Sequence, residues 1–242
     1  MKKIVFYGSG NISQALISGL LSAGYKKNLI EFIDRNKINS RKTKKLGATK
    51  TNLKTIDTKS IIFLGVKPKD AINAYAEICA VVKKPKIVSL VAGIKSNKYL
   101  SESKGVELIR AMPNTSSQFN KGITAICNCN ANKTTFNQVS SIFKKVGTTI
   151  DITKENKIDD FTGLIGSGPA YFFYLLKVYE KRILKLCDGD KLKKDTIICN
   201  LLEGVSFSIN DNSNLDELIA SVASKKGTTE AGLKHLHLLR KD

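Results

Sequence analysis

The feature that most limits what this chain can fold into is the turn Gly8-Ser9-Gly10-Asn11-Ile12-Ser13, which follows the β-branched run Lys3–Tyr7 and opens a stretch of helical periodicity. A strand that turns through two glycines straight into a helix is the context that a G-x-G-x-x-G fingerprint requires. The glycines permit the tight turn and let the backbone approach a pyrophosphate, which then sits over the positive end of the helix. Ser13 stands where the third glycine would be, and a side chain that small still lets the helix pack closely on the strand. The motif implies a dinucleotide site whose pyrophosphate end is formed by Gly8, Ser9, Gly10, Asn11 and Ile12.

The next 140 or so residues keep to that plan. Short apolar runs at Ile30–Asp34, Ser60–Val66, Lys86–Leu90, Glu107–Arg110, Ile123–Cys127 and Thr148–Ile152 alternate with amphipathic stretches, notably Asn11–Ala23 and Asp70–Val82. The alternation predicts a parallel α/β domain. After Thr153 the strand signal stops, and apolar stripes at helical spacing run through Tyr171–Leu186, Asp195–Ile209 and Leu215–Val222. Pro169 suits the first turn of the helix that follows it, where a missing N–H costs nothing. The expected fold is therefore α/β: a Rossmann-like dinucleotide-binding domain over residues 1–153, then an all-α domain over 154–242, with no flexible tether between them.

Composition narrows the function classes. Every apolar run is broken well before the roughly 18 residues a membrane span needs, and Met1-Lys2-Lys3 leads into a segment too short for a signal-peptide core. A cytoplasmic protein with no membrane partner is expected. The five cysteines are odd in number and scattered, which predicts free thiols. Cys127 and Cys129 share a strand face, but the only histidines, His235 and His237, lie far along the chain, so no metal is expected. The net charge of +19 invites a polyanion. Only Arg35, Arg41, Arg110, Arg182 and Arg240 of the 40 basic residues are arginine, however, and the lysines are spread throughout. That pattern predicts solvated faces and no specific nucleic-acid partner.

The second strand ends in Asp34-Arg35-Asn36. An acid at this point favours NADH by accepting a ribose hydroxyl, although Asp34 lies 26 positions after Gly8 (34 minus 8) where about 20 is usual. Arg35 can instead pair with a 2′-phosphate, helped by Asn36, Arg41 and Lys42. A plain helix-capping role for Asp34 and Arg35 is the third option, so the strand end leaves NADPH and NADH both open.

Four further segments are more particular: Gly65-Val66-Lys67-Pro68, Ser89-Leu90-Val91-Ala92-Gly93-Ile94, Arg110-Ala111-Met112-Pro113-Asn114-Thr115, and Thr162-Gly163-Leu164-Ile165-Gly166-Ser167-Gly168-Pro169-Ala170-Tyr171. Together with Gly227-Thr228-Thr229 they resemble the pyrroline-5-carboxylate reductase family, in order along nearly the whole chain. The resemblance implies that Val66, Lys67, Pro68, Val91 and Ala92 line the dinucleotide and that Asn52 contacts its adenosine side. It implies a helical dimerisation domain, with substrate held between the cofactor domain of one subunit and the helices of its partner. Ser224, Gly227, Thr228 and Thr229 match the loop that cradles the substrate carboxylate, and Thr229 takes the position whose hydroxyl bonds the ring nitrogen. The implied reaction is hydride transfer from NADPH or NADH to the C=N of 1-pyrroline-5-carboxylate, which gives L-proline. The implied partners are that small molecule and a second copy of the chain.

Two departures from the family pattern bear on these expectations. Lys225-Lys226 replaces the usual Pro-Gly of the carboxylate loop and Glu230 replaces an apolar residue. Loss of the glycine is expected to remove a positive φ, with a lysine cation making up for lost N–H contacts and Glu230 offsetting the local charge. The sequence also ends at Asp242, where the family adds another helix, so Leu233, Leu236 and Leu239 are expected to be exposed or covered by the partner subunit. Two other readings stay compatible with the motifs: an NADP-dependent reductase of another small imine or carbonyl, and a non-catalytic dinucleotide- or polyanion-binding homologue.

Overall fold

The computed structural model describes residues 1–103 and 105–238. Two compact units divide the chain, Met1–Phe172 and Phe173–Asp242.

The first unit is built on eight strands: Ile4–Tyr7 (β1), Ile30–Ile33 (β2), Thr49–Lys50 (β3), Ile61–Leu64 (β4), Lys86–Ser89 (β5), Glu107–Pro113 (β6), Gly122–Asn128 (β7) and Gly147–Asp151 (β8). They form one sheet in the order β3-β2-β1-β4-β5-β6-β7-β8. Its helices are Asn11–Ser22 (α1), Lys37–Leu46 (α2), Ala71–Val81 (α3), Ser96–Leu100 (α4), Lys133–Lys144 (α5) and Lys157–Phe161 (α6). From β1 the chain first adds strands on one side, then returns to add β4 on the other. That reversal leaves a crevice at the carboxyl ends of β1 and β4, the place where doubly wound sheets bind ligands.

Both faces of the sheet are covered, as the continuous apolar strands require. Ile4 and Phe6 of β1 pack with Leu16, Ile17 and Leu20 of α1. Val5 and Tyr7 point the other way, into a second layer with Tyr75 and Ile78 of α3. Each fully buried apolar side chain in these layers contributes about 1.5–3 kcal/mol. The packing fixes where the strand ends, and hence the crevice walls, sit.

Two details of the sheet differ from the sequence reading. The sheet is parallel, as the alternation predicts, except that β6 and β7 pair antiparallel from Ile109↔Asn128 to Pro113↔Thr124. Residues 114–121 connect them, too short a stretch for the dozen or more residues a parallel crossover needs. The edge strand β3 was not expected, because its two exposed residues carry no apolar signal.

The change of pattern at residue 154 precedes the end of the first compact unit. Ile158 and Phe161 of α6 are buried against Met112, Ala125 and Cys127 at the β6–β7 end of the sheet. The next segment, Thr162–Gly166, is a wide helical turn closed by Ser167, whose N–H donates to the Thr162 carbonyl at 3.0 Å. This i→i+5 step is the signature of a π-type turn.

The remaining helices are Gly168–Leu186 (α7), Lys191–Asp211 (α8), Leu215–Val222 (α9) and Thr228–Leu238 (α10). Pro169 falls in the first turn of α7, as expected. Asp190 starts α8 earlier than its apolar stripe suggests, by accepting the Lys193 N–H at 3.0 Å. Large apolar side chains on α7 and α8 are exposed, among them Phe173, Tyr174, Val178, Leu201 and Phe207. Leu233 lies on α10, whereas Leu239 and the side chain of Leu236 lie outside the described residues. All five cysteines are free. No helix among the described residues is long and apolar enough to cross a membrane.

Candidate active site

A cleft of about 950 Å³ opens at the carboxyl ends of β1, β2, β4 and β5. Its floor is the glycine turn. Gly8 has φ +91°, and a Cβ there would lie 2.6 Å from the Gly65 carbonyl oxygen, so the β1 and β4 turns touch backbone to backbone. Ser13 compensates for the missing third glycine: it is buried and its Oγ donates to the Gly8 carbonyl at 2.7 Å. The hydroxyl thus ties the first turn of α1 to the strand end.

The donors of this turn fit a dinucleotide pyrophosphate. Gly10 occupies the N-cap of α1 with no side chain to satisfy the first-turn N–H groups, and that turn carries no acidic residue. Those N–H groups have no intrahelical acceptor and lie at the positive end of the helix dipole. A Cβ added at Gly10 would have no described atom within 4 Å, so the space over the turn is open.

One wall is the end of β2. Asp34 Oδ2 accepts the N–H of Ser9 at 2.7 Å and its hydroxyl at 2.8 Å, while Oδ1 accepts the Asn36 N–H at 2.7 Å. Asp34 therefore braces the glycine turn. Helix capping falls to Asn36 instead, whose Oδ1 accepts from Ile38 and Asn39 at the start of α2. Arg35 reaches across the cleft to α3, where its Nη2 lies 2.7 and 2.8 Å from the Glu77 carboxylate oxygens. Tyr7 also donates its hydroxyl to Glu77. Burial, reinforced by that carboxylate, pushes the Tyr7 phenol up to about 12, so it remains a donor.

The opposite wall carries Val66, Lys67 and Pro68 after β4, and Val91 and Ala92 after β5. Pro68 and Lys67 end the strand and start the turn into α3, and Val91 is almost fully buried. Ala92 and Ile165, the latter from the wide Thr162–Gly166 turn, both pack against the buried cluster of Met112, Ala125, Cys127, Ile158 and Phe161. Buried Asn114 ties the turn to β7: its Oδ1 accepts the Ile123 N–H at 3.1 Å and its Nδ2 donates to the Ile165 carbonyl at 3.5 Å. The wide turn is thereby fastened to the β6–β7 end of the sheet.

Of the residues expected to hold cofactor, Gly8, Ser9, Gly10, Asn11, Ile12, Arg35, Val66, Lys67, Pro68, Val91 and Ala92 line this cleft. Asn52 stands apart from it, with Oδ1 taken by the Lys54 N–H at 3.0 Å at the start of a short turn. Tyr7, Asn73 and Glu77 line the cleft without having been expected there. A signal existed in the sequence: Asp70, Asn73, Ala74 and Glu77 follow i, i+3, i+4, i+7 spacing, one face of the helix that begins after Lys67-Pro68.

The expected substrate residues lie in the second unit, at the start of α10. Ser224 and Gly227 close a turn through Gly227 N–H donating to the Ser224 carbonyl at 3.0 Å, and Thr228 and Thr229 are the first residues of the helix. The loss of positive φ expected from Lys226 does not occur. Lys226 keeps φ +58°, and its N–H donates to Glu230 at 2.5 Å. Glu230 also pairs with Lys234 Nζ at 2.9 Å, and these two contacts, that of Lys234 first, hold its carboxyl below the usual range.

Comparison with known proteins agrees with both halves. Residues 3–93 match a family of NADP oxidoreductases, coenzyme F420-dependent, and residues 155–240 match the pyrroline-5-carboxylate reductase dimerisation family. The chain is 30% identical over 241 residues to a pyrroline-5-carboxylate reductase of Haemophilus influenzae, covering 96% of this chain and 88% of that one. Among solved structures, a pyrroline-5-carboxylate reductase from Coxiella burnetii is 26% identical with a TM-score of 0.81, covering 99% and 91% of the two chains. The Plasmodium falciparum pyrroline carboxylate reductase with NADP bound repeats the fold at 24% identity and a TM-score of 0.83, covering 99% and 90%. The chain belongs to the pyrroline-5-carboxylate reductase family.

Proposed function

We infer that this chain reduces 1-pyrroline-5-carboxylate to L-proline with a reduced nicotinamide dinucleotide bound in the cleft of its first unit. The observation that carries the reading is the meeting of three separate segments, Gly8–Ile12, Val66–Pro68 and Val91–Ala92, around one cleft whose helix N-terminus faces open space. Near full-length kinship with reductases of that name supports the substrate.

A reduced nicotinamide held in this cleft would supply the hydride that the imine carbon takes up as its nitrogen gains a proton. The residues of the chain bind and orient. The N–H groups at Gly10, Asn11 and Ile12 hold the pyrophosphate, and Ser9, braced by Asp34, keeps the turn in place. Val91 and Ala92 offer small apolar surface to a flat ring and keep water from it. In the second unit, Ser224, Gly227 and Thr228 take the substrate carboxylate at the N-terminus of α10, and the Thr229 hydroxyl donates to the ring nitrogen. Protonation at that nitrogen makes the carbon more electrophilic, so the site needs no strong general base. Residues 154–242 form the dimerisation and substrate part, and the functional protein is a homodimer or an assembly of dimers. It works in the cytoplasm, where five free thiols suit the reducing conditions.

The test is direct. Folded protein supplied with pyrroline-5-carboxylate and NADPH or NADH consumes the reduced-nicotinamide absorbance, and silence with both cofactors rejects the reading. Thr229→Val lowers kcat/KM while leaving dinucleotide affinity intact; equal loss of both places Thr229 outside the chemistry.

A further inference from the structure

The dinucleotide cleft contains an ion pair, Arg35 with Glu77, that the hydride transfer does not use. Arg35, 83% exposed, lies across the cleft mouth with one nitrogen, Nη2, on both oxygens of Glu77. Tyr7 donates to the same carboxylate from the end of β1. Those two contacts, that of Tyr7 first, hold the Glu77 carboxyl below its usual range, so it is an anion at any pH where the protein works. The arginine at the end of β2 therefore has its charge answered before any ligand arrives. Asp34, the neighbouring acid, has three of a carboxylate's roughly four acceptor positions filled by Ser9 and Asn36. One position on Oδ1 remains, enough for a single ribose hydroxyl.

We propose that Glu77 is a specificity-determining residue of the cofactor site, which disfavours a 2′-phosphate by neutralising Arg35 and by standing as a second anion beside it. The assignment rests on the dinucleotide reading of the cleft. A 2′-phosphate drawn to Arg35 brings about two negative charges to within a guanidinium's width of Glu77, and only the Nε and Nη1 donors of Arg35 lie away from that carboxylate. A bare 2′-hydroxyl meets no such opposition. Tyr7 is a positioning residue in this arrangement, since it orients the Glu77 carboxylate without adding charge.

The experiment compares two nucleotides that differ only in the 2′-phosphate, 2′,5′-ADP and 5′-AMP, titrated by calorimetry into the full chain. Glu77→Gln keeps the shape of the side chain and removes its charge. The expected result is a gain of roughly threefold to tenfold in 2′,5′-ADP affinity, with 5′-AMP affinity unchanged, and a smaller gain in high salt. Tyr7→Phe, which keeps the Glu77 charge, leaves the ratio of the two affinities near that of the unaltered chain. An unchanged ratio in Glu77→Gln overturns the assignment, as does a fall, which would make Glu77 a support for phosphate binding. A shift in Tyr7→Phe equal to that of Glu77→Gln overturns the charge argument. Failure of the unaltered chain to bind either nucleotide, or NADH, rejects the dinucleotide reading itself, and is distinguishable because no ratio can then be measured.

Discussion

The backbone N–H of Lys226 donates to the carboxylate of Glu230 at 2.5 Å, so an internal carboxylate occupies a donor of the loop proposed to receive the substrate's carboxylate. Lys226 holds φ +58° to make the contact, a conformation that costs a residue with a Cβ about 1–2 kcal/mol. The lysine pair thus keeps the turn, and if this loop receives the substrate as proposed, Glu230 competes with it for the Lys226 N–H. Glu230→Ala is expected to lower the KM for pyrroline-5-carboxylate by roughly threefold to tenfold, about the worth of one charge-assisted hydrogen bond after solvent competition. Steady-state kinetics at fixed saturating cofactor measures it, with kcat little changed. A raised KM would show that Glu230 shapes the loop and does not compete.

A second pairing controls stability. Arg110 is 1% exposed on β6, and its Nη1 lies 2.8 Å from Glu155, which also accepts the N–H and hydroxyl of Ser96 at 2.7 Å each. The Nε and Nη2 of Arg110 are buried without a hydrogen-bond partner among the described residues, so the guanidinium leans on Glu155. Glu155→Gln leaves a buried cation without its counter-charge, at a cost of about 3 kcal/mol. For a unit of this size that is a Tm lower by roughly 6–12 °C, read by thermal scanning.

The same pair gives a pH signature. Burial raises the Glu155 carboxyl, but the Ser96 and Arg110 contacts outweigh it, and the net direction is below the ordinary 4.5. A carboxyl depressed in the folded state adds stability that is fully present above its unfolded value and is lost as pH falls through the folded one. The Tm gap between the unaltered chain and Glu155→Gln should hold from neutral pH down to about 5 and close progressively below 4.5. A gap that stays constant into acid would assign the stabilisation to packing.

Much of this was legible in the sequence because periodicity and turn chemistry are local. The glycine turn, α1, the strands β1, β2, β4 and β5 and the three cleft segments follow from residues read in order. What escaped depended on partners distant in the chain. Arg35 and Glu77 are 42 positions apart, and neither residue type announces the other. The direction of β7 depended on the length of a loop, and β3 on a neighbour supplying its hydrogen bonds. Asp34 was readable as an acid in the right place, but its commitment to Ser9 depends on side-chain geometry that spacing does not carry.

Gly8 and Gly10 should separate folding from binding. Alanine at Gly8 must adopt φ +91° and meet the Gly65 carbonyl at 2.6 Å, which costs about 1–3 kcal/mol and lowers the Tm. Alanine at Gly10 meets no described protein atom, and the φ of −70° there suits any residue, so the Tm should hold. Its methyl group nevertheless enters the space assigned to the pyrophosphate. Gly10→Ala is therefore expected to weaken NADH and NADPH equally, by roughly tenfold or more, the loss of about 1.4 kcal/mol of close backbone approach. Fluorescence titration with both cofactors tests it, and unaltered affinity would move the pyrophosphate off this turn.

The second unit presents an unusually apolar helix surface. Tyr171, Phe172, Phe173, Tyr174 and Leu175 follow one another in α7, so apolar side chains point in every direction around that helix. A helical turn apolar all round, like this one in the first half of α7, is stable in water only when something surrounds it. Yet Phe173 is 69% and Tyr174 75% exposed, and an apolar surface of that kind marks a contact with another molecule. The match of residues 155–240 to a dimerisation family points to a second copy as that molecule. Glutamate at both Phe173 and Tyr174 would place charge in the contact, and the expected result is a fall in mass by light scattering to that of one chain. Dinucleotide binding should survive, because the glycine turn and its cleft belong to the first unit alone. An unchanged mass would exclude this face of α7 from the contact, and loss of dinucleotide binding along with mass would make the cleft depend on the partner.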